Sequence, residues 1–325
     1  MIVVRTVKEV RAALRSLPRP LGLVPTMGAL HQGHLSLVQA ANARCAAVAA
    51  SLFVNPTQFG AGEDFARYPR DEARDLKLFE ETGVTIVFAP AADEMYAADH
   101  STVVRVGGPL TESFEGAKRP DHFDGVATVV TKLLDAIQPD VAFFGQKDAQ
   151  QLAVIRRLVR DLDLPVEIAG VPTVRERDGL AMSSRNTYLT PAQRAVAPNL
   201  YLALLAGARA AGRPGAGPKD AIATACMALA VPDAGFKDDE DRRRELLGQA
   251  ASGPPRFSID YLAVVNADTF EQEQPLGPRS LLIGAAHLGT TRLIDNVPVG
   301  VPAGTASTAS SHRQASAYPA KDATD

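Results

Sequence analysis

Five short runs of almost unbroken apolar sequence constrain this chain more than any other feature. LGLVPT (21–26), AAVAASLFV (46–54), VTIVFAP (84–90), VAFFG (141–145) and PVEIAGV (165–171) lack the apolar–polar alternation of a strand with one wet face. Strands of that kind are covered on both sides, as parallel strands are. The segments between them read as helices. Val126, Val129, Val130, Leu133, Leu134 and Ile137 recur at helical spacing, and so do Leu152, Ile155, Leu158, Val159 and Leu162. Strand–helix–strand alternation predicts an α/β fold with a doubly wound parallel sheet, whose ligands bind beyond the carboxyl ends of the strands.

The texture changes near residue 180. Ala-rich helices are expected at 192–211 and 219–230, on either side of the turn signal GRPGAGP. FSIDYLAVV (257–265) and SLLIGAAHL (280–288) read as strands of a smaller α+β domain. The expected division is a first domain over 1–176, a second over 177–299, and a disordered tail over 300–325, which is mostly Ala, Ser, Thr and Pro. KDDEDRRRELLGQ (237–249) reads as a solvated charged segment. A net charge of −3 on 325 residues gives no basic surplus for nucleic acid, and none is expected as a partner. No apolar run approaches the length of a membrane span, and the first ten residues lack the apolar stretch of a signal peptide. The expected setting is therefore cytoplasmic, with no membrane partner. The two cysteines, Cys45 and Cys226, stand apart and outside any CxxC, which reads as two thiols rather than a disulfide or zinc site.

Four segments carry candidate chemistry. PTMGALHQGH (25–34) follows a predicted strand and enters a helix. His31 and His34 share a face of a helical turn, and Gly28 and Gly33 leave room for a ligand or another backbone. A helix N-terminus suits phosphate, and imidazoles placed there can donate to charge that develops on it. The same pair can also be two solvated or capping histidines; its place after a strand and a glycine favours the ligand. No third ligand of the usual kind is near in sequence, so zinc is not expected. FFGQKDAQQ (143–151) offers Lys147 as a mobile cation, Asp148 as an acceptor for ribose hydroxyls or a helix cap, and Gln151 one turn on. GLAMSSRN (179–186) supplies two hydroxyls and Arg185, which either wrap a pyrophosphate or form a polar linker. SLFVNPTQFG (51–60) supplies Asn55 and Gln58, uncharged amides that read hydroxyl and carboxylate groups, or else simply turns at Asn55–Pro56. GAGEDFARYPRDEAR (60–74) follows, with Gly60 and Gly62 as candidate hinges of a lid.

HQGH resembles the His-x-Gly-His signature of class I nucleotidyltransferases and aminoacyl-tRNA synthetases, and MSSRN resembles their second phosphate-gripping signature. Taken with FVNPTQFG, EDFARYPR, FFGQKDAQQ and TRLIDN (291–296), the set resembles the pantothenate synthetase family over residues 1–299. The resemblance implies a Rossmann-like first domain, a smaller lid domain and a homodimer. It implies a ligase that uses ATP with Mg²⁺ to adenylate pantoate, releases pyrophosphate, and passes the pantoyl group to β-alanine with loss of AMP. Matching positions for ATP are Met27, Gly28, Ala29, Leu30, His31, Gln32, Gly33 and His34, then Gly145, Gln146, Lys147, Asp148 and Val174, then Met182, Ser183, Ser184 and Arg185. His34 matches the active-site acid, and His31, Lys147 and Arg185 join it as candidate catalytic groups. Gln58 and Gln151 match pantoate-binding glutamines, Gln58 also lying at the β-alanine site, and Asn55 is grouped with them. Met27, Phe53, Val129 and Val130 match the wall around pantoate's geminal methyls. No residue is assigned to a metal. Many relatives have Glu where this chain has Gln146, and the 232–256 stretch is longer and more charged than the family needs.

Three other readings are distinguishable. A relative that adenylates a phosphate-bearing acceptor would need more cations at the acceptor site than Gln58 and Gln151 provide. A catalytically silent nucleotide-binding regulator would lack motif residues, and none is missing. A tRNA-binding synthetase would call for a basic surface and a further domain.

Overall fold

The computed structural model describes residues 1–230 and 255–300. The charged 237–249 segment and the 301–325 stretch of the expected tail lie outside the described residues. In chain order the first part contains β1 (Ile2–Val4), α1 (Val7–Leu14), β2 (Leu21–Thr26), α2 (Gln32–Asn42), β3 (Ala47–Leu52), α3 (Glu72–Glu81) and β4 (Ile86–Phe88). Three one-turn helices follow, α4 (Ala92–Met95), α5 (Pro109–Glu112) and α6 (Glu115–Lys118), and then α7 (His122–Ile137), β5 (Val141–Gly145), α8 (Ala149–Asp161) and β6 (Glu167–Val171).

The six strands form one parallel sheet in the order β1-β4-β3-β2-β5-β6, the doubly wound arrangement expected from the sequence. Strand side chains alternate between two cores. Leu21, Leu23, Ala49, Ile86, Phe88 and Phe144 pack with α1, α7 and α8, and Val24, Val48, Ala50, Val87 and Phe143 pack with α2 and α3. This double cover explains the unbroken apolar runs. Each large side chain taken fully from water contributes roughly 1.5–3 kcal/mol.

The second part holds α9 (Pro191–Val196), α10 (Asn199–Ala211), α11 (Pro218–Ala230), β7 (Phe257–Asn266), β8 (Ser280–Leu288) and β9 (Thr291–Pro298). Its strands form an antiparallel sheet, β7-β8-β9. Leu204, Ala211, Ala221 and Ala225 of α10 and α11 cover Val264, Leu282 and Val297. The two helices meet closely at Gly207, where a Cβ would lie 2.4 Å from the Ala221 carbonyl oxygen. The single helix expected over 192–211 is two helices, because Pro198 cannot continue the hydrogen-bond ladder of α9. The expected domain border at 176/177 falls within a tight hairpin, where Arg175 bridges Ala181.

Two strands lie beyond the sequence reading. β1 is only three residues long. In β9 a charged residue, Asp295, occupies the buried row with Thr291, Leu293 and Val297. Arg175 makes that placement tenable with a two-pronged contact to Asp295 at 2.5 and 2.9 Å, its guanidinium lying 3.5 Å over the Tyr201 ring.

Candidate active site

The sheet order reverses between β2 and β5, and there the two strands part. β2 pairs with β3 over six residues but with β5 only at Gly22↔Val141 and Leu23↔Ala142. Their carboxyl ends therefore frame a crevice at the switch point, the position that open α/β sheets use for ligands. The histidine segment leaves β2 on one side, and the Lys147 segment leaves β5 on the other.

The turn between β2 and α2 has left-handed backbone at Gly28 (φ +81°) and Ala29 (φ +51°). Asp75 of α3, 1% exposed, holds it by accepting the N–H groups of Ala29 and Leu30 at 2.8 and 2.9 Å. A Cβ on Gly28 would stand 2.8 Å from the Asp75 Oδ2, so this glycine makes room for Asp75 rather than for a ligand. Beyond the turn, His31 is the N-cap of α2, and its Nδ1 accepts the Gly33 N–H at 3.1 Å. The His34 Nδ1 accepts the His31 N–H at 3.4 Å, and the rings lie 4.1 Å apart. The capping reading thus holds for both rings, which also line the crevice. Nδ1 is an acceptor on both rings, which assigns the proton to Nε2 on each and leaves two N–H donors on rings that line the crevice. Burial, reinforced by Lys147, lowers the His31 pKa to about 4; burial, then His31 and Lys147, lowers that of His34 to about 3. Both rings are neutral donors at neutral pH.

A cavity of about 240 Å³ fills the crevice. Met27, Phe53, Val129 and Val130 give it an apolar wall, with Gln58 and Gln151 among the lining residues. Gln58 is held in place: its Nε2 contacts the Met27 sulfur at 3.2 Å, and its Oε1 accepts from Asn55 Nδ2 at 3.1 Å. Asn55, expected to meet substrate, has no hydrogen-bonding capacity left. Its Nδ2 also donates to the Gly125 carbonyl, and its Oδ1 accepts from Thr57 and, at 2.8 Å, from the Tyr96 hydroxyl. Asn55 lines the same cavity, and its engaged amide orients Gln58.

Lys147, Asp148, Gln151, Ser183 and Arg185 border both this cavity and a larger one, about 650 Å³, that runs toward the second domain. Lys147 Nζ lies 3.7 Å from the Asp148 carboxyl. Asp148 stands at the N-cap of α8 without capping it, so the cap reading fails there. Arg185 is engaged by Asp64, with Nε and Nη2 donating at 3.0 and 2.9 Å. Burial works to lower the Arg185 pKa, and the Asp64 contacts outweigh it, leaving it raised. Tyr68 meets Ser184 at 3.3 Å, so the 64–68 stretch rests directly on the serine–arginine loop.

Of the expected ATP positions, Met27, His31, Gly33, His34, Gly145, Lys147, Asp148, Val174, Met182, Ser183, Ser184 and Arg185 line the smaller cavity. Gly28, Ala29, Leu30, Gln32 and Gln146 line neither cavity. Leu30 is 1% exposed in the core with Val24 and Phe79, the Ala29 amide is taken by Asp75, and the side chains of Gln32 and Gln146 face outward. Sequence reasoning missed Asp75, Arg119 and His122. Arg119 donates to Glu63 at 2.7 and 2.6 Å and to His122 Nε2 at 3.0 Å, and His122 Nδ1 donates to the Gln58 carbonyl at 2.8 Å. His122 is held neutral near pKa 4 by burial and then by Arg119. An Arg and a His three residues apart at a helix start were the only local signal, and their partners lie in a distant segment of the chain.

The pantoate-beta-alanine ligase family model matches residues 2–298. A pantothenate synthetase of Chloroflexus aggregans is 50% identical over 297 residues, covering 91% of this chain and 99% of that relative. A crystal structure of pantothenate synthetase from Thermus thermophilus aligns with a TM-score of 0.80 at 48% identity, covering 91% of this chain and 99% of that one. A pantoate-beta-alanine ligase from Francisella tularensis, crystallised with β,γ-ATP and β-alanine, aligns with a TM-score of 0.70 at 28% identity over 91% of this chain and 97% of that one. With a family model that spans both parts of the fold, and relatives of this identity along almost their whole length, the chain belongs to the pantoate-beta-alanine ligase family.

Proposed function

We infer that this chain is an ATP-dependent ligase that joins pantoate to β-alanine through pantoyl adenylate. The observation that carries the reading is one crevice in which two neutral imidazole donors and Lys147 face Gln58, Gln151 and an apolar wall. That surface suits a small hydroxy acid with geminal methyls beside a nucleotide phosphate.

In the first half-reaction a carboxylate oxygen of pantoate attacks the α-phosphorus of ATP, and pyrophosphate leaves. Negative charge concentrates at the α-phosphate, where the Nε2–H groups of His31 and His34 and the Lys147 ammonium oppose it. Arg185 contributes on exchanging Asp64 for phosphate. Gln58 and Gln151 orient the acid, and Met27, Phe53, Val129 and Val130 hold its methyls away from water. In the second half-reaction the amine of β-alanine attacks the acyl carbon and AMP leaves; the amine's proton goes to solvent.

Magnesium fits as a companion of the triphosphate. No group of three metal-binding side chains occurs among the described residues, and Asp148 is the half-exposed carboxyl on this face. Mg²⁺ usually keeps several waters and binds through substrate phosphates and one or two carboxylates; it would offset phosphate charge there. We further propose a cytoplasmic homodimer with a domain border at 176/177, which the family resemblance supports, and residues 60–74 closing over the adenylate, which Gly60 and Gly62 as hinges and the place of this segment after Gln58 support. The test is incubation with ATP, Mg²⁺, pantoate and labelled pyrophosphate, without β-alanine. Label should enter ATP only when pantoate is present. Exchange that proceeds equally without pantoate refutes the acyl-adenylate route.

A further inference from the structure

We propose that Asn296, on β9 of the second domain, is a positioning residue for Lys147, so that the C-terminal strand sets the phosphate-holding turn of the first domain. The proposal rests on the ligase reading given above. The turn in question joins β5 to α8 and carries Lys147 at its centre. One side-chain amide spans it: Asn296 Nδ2 donates to the Gln146 carbonyl and to the Lys147 carbonyl, both at 3.0 Å. A primary amide has two N–H donors, so both are spent on this one turn. From the opposite side the Gln146 N–H donates to the Val171 carbonyl at the end of β6, at 2.8 Å. The backbone on either side of the Lys147 Cα is therefore pinned from two domains.

Asn296 is itself a fixed point. It pairs in register with Ile283 of β8. Its own N–H donates to Asp295, which Arg175 clamps. Four residues back on the same face, Arg292 forms a two-pronged contact with Glu115 of α6, at 2.7 and 2.7 Å. β9 is thus tied to the first domain at three places, through Arg292, Asp295 and Asn296, and the last of them is the turn that bears the catalytic cation. Side chains on a flexible stem act as well as their root is placed, and loose roots dilute the productive geometry. TRLIDN, legible in the sequence only as a motif, acquires in Asn296 a task at the nucleotide.

The experiment compares wild type, Asn296→Ala and Asn296→Asp in pantoate-dependent pyrophosphate–ATP exchange, with ATP and pantoate varied separately. Losing two neutral hydrogen bonds to the turn should impair the ATP-dependent term roughly tenfold, with the pantoate KM held within about twofold of wild type. Asn296→Asp keeps the shape but turns acceptors toward two carbonyls, so it should be at least as damaging as Asn296→Ala; a purely space-filling role predicts the reverse. In a Lys147→Ala background the Asn296→Ala loss should vanish, because the cation it positions is gone. Amide hydrogen exchange at 146–149 should quicken in both variants. An Asn296→Ala protein with unchanged ATP dependence, or one that loses as much without Lys147 as with it, overturns the proposal. Absence of pantoate-dependent label exchange in wild type would overturn the ligase reading alone, and the amide measurement would then decide the positioning role by itself.

Discussion

Asp75→Ala should loosen the turn that precedes the two histidines, although Asp75 lies on another element and lines neither cavity. The carboxyl group accepts the Ala29 and Leu30 amides at 2.8 and 2.9 Å and is 1% exposed. Removing it leaves two N–H groups without partners in a dry site, and each costs ~1–3 kcal/mol. The expected loss is therefore ~2–6 kcal/mol in the first domain, less whatever entering water recovers. Asp75→Asn, which keeps one carbonyl oxygen, should lose about half as much. Gly28→Ala strains the same turn independently, with φ at +81° and the new methyl 2.8 Å from Asp75 Oδ2 and 2.9 Å from a Leu52 methyl. With Asp75 cut to alanine the first of these clashes disappears, so Gly28→Ala should cost less in that background, a coupling of the size neighbours show, ~0.5–3 kcal/mol. Urea denaturation gives the stabilities, and amide hydrogen exchange at Ala29 and Leu30 gives the local opening. Pyrophosphate–ATP exchange should slow in step with the loosening of the turn, since His31 begins where it ends. Wild-type protection of those two amides in Asp75→Ala, with an unchanged denaturation midpoint, would refute the reasoning.

Lys147→Ala should lower kcat/KM for adenylation at least ~10-fold, because a hydrogen bond to a charged group contributes ~1.5–3 kcal/mol; an unchanged value in a folded protein counts against its role. Gln58→Ala and Gln151→Ala should raise the pantoate KM by about tenfold while leaving nucleotide binding nearly intact, by the usual cost of leaving a buried polar partner unpaired; steady-state kinetics with each substrate varied decides this. His31, His34 and His122 sit at about 4, about 3 and about 4 in the folded chain, below the ordinary 6.5. Depressed folded values mean that the unfolded chain binds more protons from about pH 6.5 down to about 4, and to about 3 for His34, so stability should fall as pH drops through that window and be unaffected by these groups above it. For the same reason the kcat/KM profile of the adenylation step should lack an ascending limb near pH 6.5, and a limb there that disappears in His34→Ala would contradict the neutral-donor assignment.

The sheet was legible because its cause is local: a strand covered on both sides favours apolar residues along its length, as β2 to β5 show, while the edge strand β6 still reads as apolar apart from the exposed Glu167. The sixth, β1, is too short to print a pattern. β9 was hidden by Asp295, a charge in a core row that only Arg175, 120 residues earlier, makes tolerable. The site divides the same way. His31, Lys147, Gln58 and Arg185 stand at strand ends or in loops whose sequence announces them. Asp75, Arg119 and His122 work through contacts between distant segments, and no spacing encodes those. Motif matching also reached too far, since Leu30 and Ala29 belong to the ATP motif by position yet are used by the core and by Asp75. The single helix expected over 192–211 was wrong for a local reason that sequence reasoning passed over: Pro198 outweighs the alanine-rich helical pattern around it and separates α9 from α10.

The mutual capping of His31 and His34 has a consequence for descent. One side chain here answers to two selections, as the lid of the first turn of α2 and as the holder of a proton. Were the chemistry no longer needed in some lineage, the helix would still need its lid, and at position 31 serine, threonine, aspartate or asparagine supplies one. Gly33 is required only while the residue-31 ring remains, since a Cβ there would press within 2.8 Å of that ring. Relaxed selection should therefore leave a recognisable scar, a short capping residue at 31 followed by drift at 34, and a descendant that keeps both imidazoles is one in which the donors are still in use.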